Sequence, residues 1–383
     1  MIPYARQSIN EDDETAVLEV LRSDFLTQGP IVPKFENVVA AHCGAQYAVA
    51  VSNATSALHL AARALGLREG GLLWTSPISF VASSNCALYC GADVDFVDID
   101  SRTLNISTGH LQEKLERANA DGRLPDIVVI VDFAGRPCQL SEIAQLARKY
   151  GFRIVEDASH AIGAEYQGEP VGNGRYADVT VFSFHPVKII TTGEGGMAVT
   201  NDDNVAETMR LLRSHGITRD LGRMTQPREP WEYEQLDLGF NYRLTEIQAA
   251  LGAAQMERIA TFIEKRQRIA AGYGEGLASA PLVLPSQPAD ARSAYHLYPV
   301  QMTDDAPCTR RDLYDRLRSR GVAANVHYMP IYLQPYYQKF GFGAGYCPNA
   351  EDYYRRALSL PMYAGLSDAE HARVIDAVLE CLV

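Results

Sequence analysis

The chain has 383 residues, 47% hydrophobic and 21% charged, a length and composition able to bury a large globular core, with two or three domains as a length-based expectation. Lysine and arginine number 35 against 47 acids, a formal net charge of −12 without long like-charge runs, which argues against non-specific nucleic-acid binding. No apolar run reaches the 18 residues of a membrane span, and residues 1–6 hold no apolar signal core, so a cytoplasmic protein away from membranes is expected.

From the N-terminus, Asn10 followed by Glu11, Asp12 and Asp13 reads as a helix cap with acids in the first turn, opening an amphipathic helix through Leu21. Short β-rich apolar runs at 47–51, 72–76, 94–98, 126–132, 152–157, 178–184 and 196–200 predict strands. Helical patterns at 56–65, 81–89 and 141–150 lie between several of them. This alternation predicts an α/β protein, with a mainly parallel sheet covered on both faces, in one large domain to about residue 240.

Thr245-Glu246-Ile247-Gln248 is a capping box opening a long helix through roughly residue 265. The Pro/Ala/Ser-rich stretch 280–291 reads as a boundary. A smaller α+β unit follows, with a strand at 296–302, a capped helix at 309–320 and a last helix opened by Ser367 and Glu370. The expected units are therefore residues 1–245 and 246–383. Each Gly-x-Gly lacks the third glycine of the dinucleotide fingerprint, which weakens a nicotinamide-dependent reading. The seven cysteines form no Cys-x-x-Cys pair and read as reduced core residues; Cys86 and Cys90 lack the further ligands of a metal site, and none is expected.

The chemistry concentrates between Val179 and Val199. Lys188 sits between two apolar runs, where an ammonium is costly unless paired or neutralised. A neutral lysine is an amine nucleophile able to form a Schiff base with a carbonyl. Ser183 stands five residues upstream, and a Gly-rich turn at 191–196 follows. Three other pieces bear on it. The run from Ser52 to Ala57 ends a strand and begins a helix, where free amides with Thr55 and Ser56 suit a phosphate, although any N-cap looks similar. Asp157 ends its strand, placing an acid where a pyridinium nitrogen needs one; a helix-capping aspartate is the alternative. Phe80 follows the strand at 72–76 and the turn at 77–79, where an aromatic lies against a ring or packs in the core. His160, three residues after Asp157, reads by itself as a structural histidine.

Joined, these segments resemble a known family. Asn53-Ala54-Thr55-Ser56-Ala57-Leu58, Pro77-Ile78-Ser79-Phe80-Val81-Ala82, the run from Val155 to Ala161, Ser183-Phe184-His185-Pro186-Val187-Lys188 and the run from Gly239 to Gly252 are similar to the sugar-nucleotide aminotransferases of the DegT/StrS type. The likeness runs from Pro3 to the last helix. It implies the aspartate-aminotransferase (type I) fold and pyridoxal 5′-phosphate as cofactor. The segments from Thr75 to Ala82, Arg213 to Asp220 and Val326 to Tyr332 further resemble the branch acting in pseudaminic acid biosynthesis. That branch aminates the C4 ketone of UDP-4-keto-6-deoxy-N-acetyl-altrosamine.

The resemblance implies Lys188 as the Schiff-base lysine and proton carrier, Asp157 at the pyridinium nitrogen, Phe80 on the ring and His160 near the ring hydroxyl. It assigns the phosphate to the Thr55 and Ser56 amides with Ser183, and to Asn241 from a neighbouring subunit, hence a homodimer. Tyr4, Leu26, Thr27, His327 and Tyr328 match positions lining the sugar-nucleotide site. Retention of Lys188, where the dehydratase branch has histidine, favours transamination over loss of a hydroxyl. The expected reaction is ping-pong, with L-glutamate giving its amine and leaving as 2-oxoglutarate before a 4-keto sugar nucleotide is aminated. The alternatives are an aminotransferase of the same family for another UDP- or dTDP-linked 3- or 4-keto sugar, and a ligand-binding regulator on the same fold.

Overall fold

The computed structural model describes residues 1–226, 229–287 and 289–382. Seven strands form its main sheet: β1 (Tyr47–Val51), β2 (Leu72–Thr75), β3 (Asp93–Phe96), β4 (Ile127–Val131), β5 (Arg153–Asp157), β6 (Val179–Ser183) and β7 (Gly196–Thr200). Their order is β1-β7-β6-β5-β4-β2-β3. β7 runs antiparallel to both neighbours, and the other pairings are parallel. All seven lie where the apolar runs predicted.

Side chains alternate between the two faces of this sheet, as the two-residue period requires. Val129, Val155, Val181 and Ala198 enter a core beneath the helix α3 described below. Val128, Ile130 and Ile154 enter another on the opposite face. Asp157 shares the face of Val155, and Glu156 the face of Ile154. Both faces are thus covered by helices, and at the edge strands side chains take outward backbone groups, Glu36 and Arg213 at Ala50 and Lys114 at Phe96.

The first helices are α1 (Glu11–Leu21), α2 (Ile31–Cys43), α3 (Ala54–Ala64) and α4 (Ala82–Tyr89). α1 begins with a capping box between Asn10 and Asp13. Asp13 is fully buried, and its Oδ2 accepts from the Gln255 amide (2.6 Å) and the Arg258 guanidinium. Sequence predicts one helix from Thr245 through residue 265. The structure has two, Glu246–Glu257 and Ile259–Gly276, divided at Arg258, where φ is −108° and ψ is 5°. The side chain at that break is the one that turns to Asp13.

The C-terminal part carries a three-stranded antiparallel sheet, Leu282–Val283, Tyr298–Met302 and Ala357–Leu360, with Tyr298–Met302 in the middle. Helices Arg310–Ser319 and Asp368–Cys381 complete it, each opened by a capping box, at Thr309 and Ser367. The first residues join this part, although sequence grouped them with the large unit. Ile2 pairs with Val322 and is buried among Leu313, Leu317 and Val374, and Met362 donates its amide to the Tyr4 carbonyl at 2.9 Å. Burial of one isoleucine decides the route of the arm. That route brings Tyr4 to the junction of the two parts.

Candidate active site

The carboxyl ends of β1, β5 and β6 open on a cavity of about 790 Å³ between the main sheet and the C-terminal part. Ten residues singled out from the sequence line it: Tyr4, Thr55, Ser56, Phe80, Asp157, His160, Ser183, Lys188, His327 and Tyr328. A larger groove, about 920 Å³, runs beside the edge strand β3 and holds none of them.

α3 starts two residues earlier than its pattern predicts, because Asn53 is its cap. The Asn53 side chain accepts from the Ser56 amide (2.9 Å) and the Ser56 hydroxyl (3.0 Å). The Ser56 amide is therefore engaged, which corrects its assignment to a phosphate. Among the described residues, the Ala54 and Thr55 amides and the Ser183 hydroxyl have no partner, so the unpaired donors at this helix start face the cavity mouth from α3 and β6. Strand β7 passes close behind. A Cβ at Gly196 would stand 2.5 Å from the Ala54 nitrogen, so the last glycine of the 191–196 turn is required by close approach.

Lys188 lies on the loop that joins β6 to β7. The loop is closed at its base, where Phe184 donates to the Gly195 carbonyl (2.9 Å) and accepts from the Thr192 amide (3.0 Å) and the Thr191 hydroxyl (2.9 Å). A rigid neck thus presents Lys188 to the cavity. Burial pushes its ammonium down to about 8, against the opposing pull of the Asp157 charge. About a tenth of the amine is then neutral at pH 7, the form an amine nucleophile requires.

Asp157 is 5% exposed, and no helix follows it, so the capping alternative fails. Its Oδ1 accepts from the Ser159 hydroxyl (2.6 Å) and amide (3.2 Å), and its Oδ2 from the Ser83 hydroxyl (2.6 Å). Sequence reasoning missed Ser83 and Ser159. The Asp-x-Ser spacing of 157–159 is an Asx-turn signal that identifies Ser159; nothing local identifies Ser83, which is 74 residues away.

His160 accepts from the Ala134 amide at Nδ1 (3.3 Å) and packs on His296, ring centroids 4.3 Å apart. Burial, with Lys188 and His327 adding to it, holds His160 well below the usual imidazole range. A neutral ring that accepts at Nδ1 carries its proton on Nε2. His327 bonds Ser359 Oγ (2.9 Å) and is lowered to about 4 by burial and by Lys188. Burial raises Tyr328 and Tyr4. Phe80 is 60% exposed at the rim, so its ring is not part of the core.

Leu26, Thr27 and Asn241 do not line this cavity. All three attach to one surface segment. Thr27 bridges Thr245, the Leu26 carbonyl accepts from the Glu246 amide (3.0 Å), and Asn241, exposed, bridges Ser214. Tyr242, next in that segment, turns inward to the cavity and meets His59 Nδ1 at 3.2 Å.

Unpaired amides and hydroxyls, a carboxylate fixed at both oxygens, a weakened lysine and an exposed aromatic lining one cavity fit a ring that bears a phosphate, a basic nitrogen and a carbonyl. Mixed seven-stranded sheet and site together define a type I pyridoxal-phosphate enzyme. The model of the DegT/DnrJ/EryC1/StrS aminotransferase family matches residues 7–379, and the chain belongs to that family. It is 36% identical over 378 residues to a UDP-4-amino-4,6-dideoxy-N-acetyl-beta-L-altrosamine transaminase of Campylobacter jejuni, covering 97% of this chain and 96% of that one. The solved structure of Helicobacter pylori PseC, an aminotransferase involved in the biosynthesis of pseudoaminic acid, superposes with a TM-score of 0.90 at 34% identity, covering 100% of this chain and 99% of that one. A putative sugar aminotransferase of Streptococcus pneumoniae, Spr1654, in its PMP form, gives 0.91 at 27% identity over 100% of this chain and 99% of that one. The chain is an aminotransferase, and its cofactor is pyridoxal phosphate.

Proposed function

We propose that this aminotransferase moves the amino group of L-glutamate to C4 of UDP-4-keto-6-deoxy-N-acetyl-altrosamine, giving the 4-amino sugar nucleotide and 2-oxoglutarate in pseudaminic acid biosynthesis. The observation that carries the chemistry is Lys188 and Asp157 in one cavity, an amine brought to about 8 beside a carboxylate fixed at both oxygens. The substrate rests on the likeness, over nearly the whole chain, to the transaminase of C. jejuni.

Bound pyridoxal phosphate supplies the electron sink for the carbon that loses a proton. Lys188 Nζ would hold the cofactor's carbonyl carbon at rest. Once displaced by the donor amine, it would carry the proton off glutamate Cα, and later return one to sugar C4. Asp157 would keep the ring nitrogen protonated, and Phe80 would cover one ring face. His160 Nε2–H would donate to the ring oxygen. The Ala54 and Thr55 amides, with the hydroxyls of Thr55 and Ser183, would take the phosphate. Tyr4, His327 and Tyr328 would line the sugar side.

The cavity supports a shared site. Lys188 is the one lysine or arginine among its described lining residues, against Asp157 and Glu194. A cofactor phosphate, a diphosphate and the carboxylates of glutamate need more hydrogen-bond donors than one copy offers. A second copy in a homodimer would bring Asn241, and with it Leu26 and Thr27, all exposed or surface-tethered on one segment. The seven unpaired cysteines support a reducing compartment, the cytoplasm. No helix among the described residues is long and apolar enough to cross a membrane.

The test is a panel of UDP- and dTDP-linked 3-keto and 4-keto sugars with L-glutamate as donor. The UDP-linked 4-keto-6-deoxy-N-acetylhexosamine should turn over fastest, and preference for a 3-keto or dTDP-linked sugar overturns the assignment in favour of another branch of the family.

A further inference from the structure

Ser83 is fully buried at the start of α4, and its hydroxyl lies 2.6 Å from Asp157 Oδ2. It has one hydrogen to give and three acceptors in reach, that carboxylate, the Ser79 hydroxyl at 2.7 Å and the Phe80 carbonyl at 3.3 Å. The charged acceptor at the shortest distance takes it. The Ser79 hydroxyl, 2.7 Å from Ser83 Oγ and buried as well, then donates to Ser83. The result is a directed chain from Ser79 through Ser83 to Asp157. On the other side Ser159 holds Oδ1 with its hydroxyl and amide. With both oxygens held, the carboxylate has neither a free rotation about its Cβ–Cγ bond nor a free choice of lone pair. The turn that supplies Ser79 and Ser83 also carries Phe80, so one short segment sets the rim aromatic and the deep carboxylate together.

We propose that Ser83 is a positioning residue for the amino-transfer reaction: it orients Asp157 toward the cofactor's ring nitrogen, with Ser79 fixing the direction of its hydroxyl. This rests on the reading of Asp157 as the partner of that nitrogen. A carboxylate held at both oxygens presents its charge to the ring nitrogen in one fixed geometry. Without Ser83, Asp157 is free to swing from the ring and holds the ring proton less well.

The experiment compares wild type with Ser83→Ala, Ser83→Thr and Ser79→Ala, each loaded with pyridoxal phosphate. In the glutamate half-reaction, Ser83→Ala should lose roughly tenfold in kcat with KM for glutamate within about twofold, because alignment and not donor binding is affected. The pH at which the bound cofactor's visible absorbance titrates should rise by about half a unit or more, a change that mere loss of packing does not produce. Ser83→Thr, which keeps the hydroxyl, should restore both readings. Ser79→Ala leaves Ser83 in place and should shift them in the same direction by less, which keeps the test open if Ser83→Ala does not fold. A folded Ser83→Ala protein with wild-type kcat and titration overturns the role of Ser83 while leaving the aminotransferase reading intact. A wild-type protein that takes up no pyridoxal phosphate overturns both.

Discussion

Gly196 lies against the backbone of Ala54: a Cβ there would stand 2.5 Å from the Ala54 nitrogen and 2.6 Å from the Asn53 oxygen. The strand that leaves the lysine loop and the helix start that offers free amides are thus in contact through one missing side chain. Neither backbone group belongs to a flexible side chain that could yield. Gly196→Ala should push the α3 start away from the cavity, lowering stability by about 1–3 kcal/mol. Affinity for pyridoxal phosphate should fall by roughly tenfold or more, as read by fluorescence titration beside thermal unfolding. Unchanged affinity would remove the α3 amides from the phosphate site.

In cofactor-free protein, acylation of Lys188 followed by mass spectrometry should rise through a midpoint near pH 8, the position to which burial brings its ammonium. An exposed lysine titrates near ~10.4. Because the folded value lies below the unfolded one, the unfolded chain binds more protons between the two, and stability rises with pH across that window. Lys188→Met should therefore raise the unfolding temperature of the cofactor-free protein at pH 7. The advantage should vanish above roughly pH 10.5.

Behind the site, on the opposite face of the sheet, Asp132 and Glu156 are buried, and Asp132 Oδ2 and Glu156 Oε1 have no hydrogen-bond partner among the described residues. Two neighbouring carboxyl groups shut away from water do not both stay ionised. Burial raises both, with the Glu156 charge adding to the shift of Asp132, while the Cys138 amide (2.9 Å) and Thr180 hydroxyl (2.7 Å) pull the other way. The folded pair holds protons that the unfolded chain releases near ~4, so stability falls as pH rises above that value. Glu156→Gln leaves one buried carboxyl where there were two and removes the charge that acts on Asp132. Its unfolding temperature should match wild type near pH 5 and exceed it increasingly toward pH 9.

Much of the molecule was legible from the sequence because its signals are local. Seven apolar runs mark seven strands, and the boxes at Thr245, Thr309 and Ser367 mark helix starts through bonds that span three residues. What stayed hidden depends on distant parts of the chain. The helix division at Arg258 accompanies a contact with Asp13, 245 residues away, and the attachment of Ile2 to the C-terminal part depends on burial beside Val322. Lys188, Asp157 and Ser183 were visible as strand-end polar residues. The hold of Ser83 on Asp157 crosses from one strand end to another and has no local pattern. Asn53 is different, since an asparagine before Ala-Thr-Ser is a cap signal that the hydroxyls at 55 and 56 drew attention from.

If Asn241 serves the partner's cavity, two inactive variants should complement. Lys188→Ala and Asn241→Ala proteins, unfolded and refolded together, form mixed dimers with one intact site, so random pairing should recover about a quarter of wild-type activity. Recovery near zero, with dimers confirmed by sedimentation, places Asn241 in the cavity of its own chain, and an Asn241→Ala protein that is active by itself places it outside catalysis.

The most direct measurement follows nitrogen. Wild-type protein with pyridoxal phosphate, 15N-labelled L-glutamate and UDP-4-keto-6-deoxy-N-acetyl-altrosamine should give a sugar nucleotide whose NMR spectrum places the label on C4, with one equivalent of 2-oxoglutarate. Lys188→Ala should give neither product. Label at another carbon, or a Lys188→Ala protein that transfers nitrogen at the wild-type rate, would contradict C4 amination driven by this lysine.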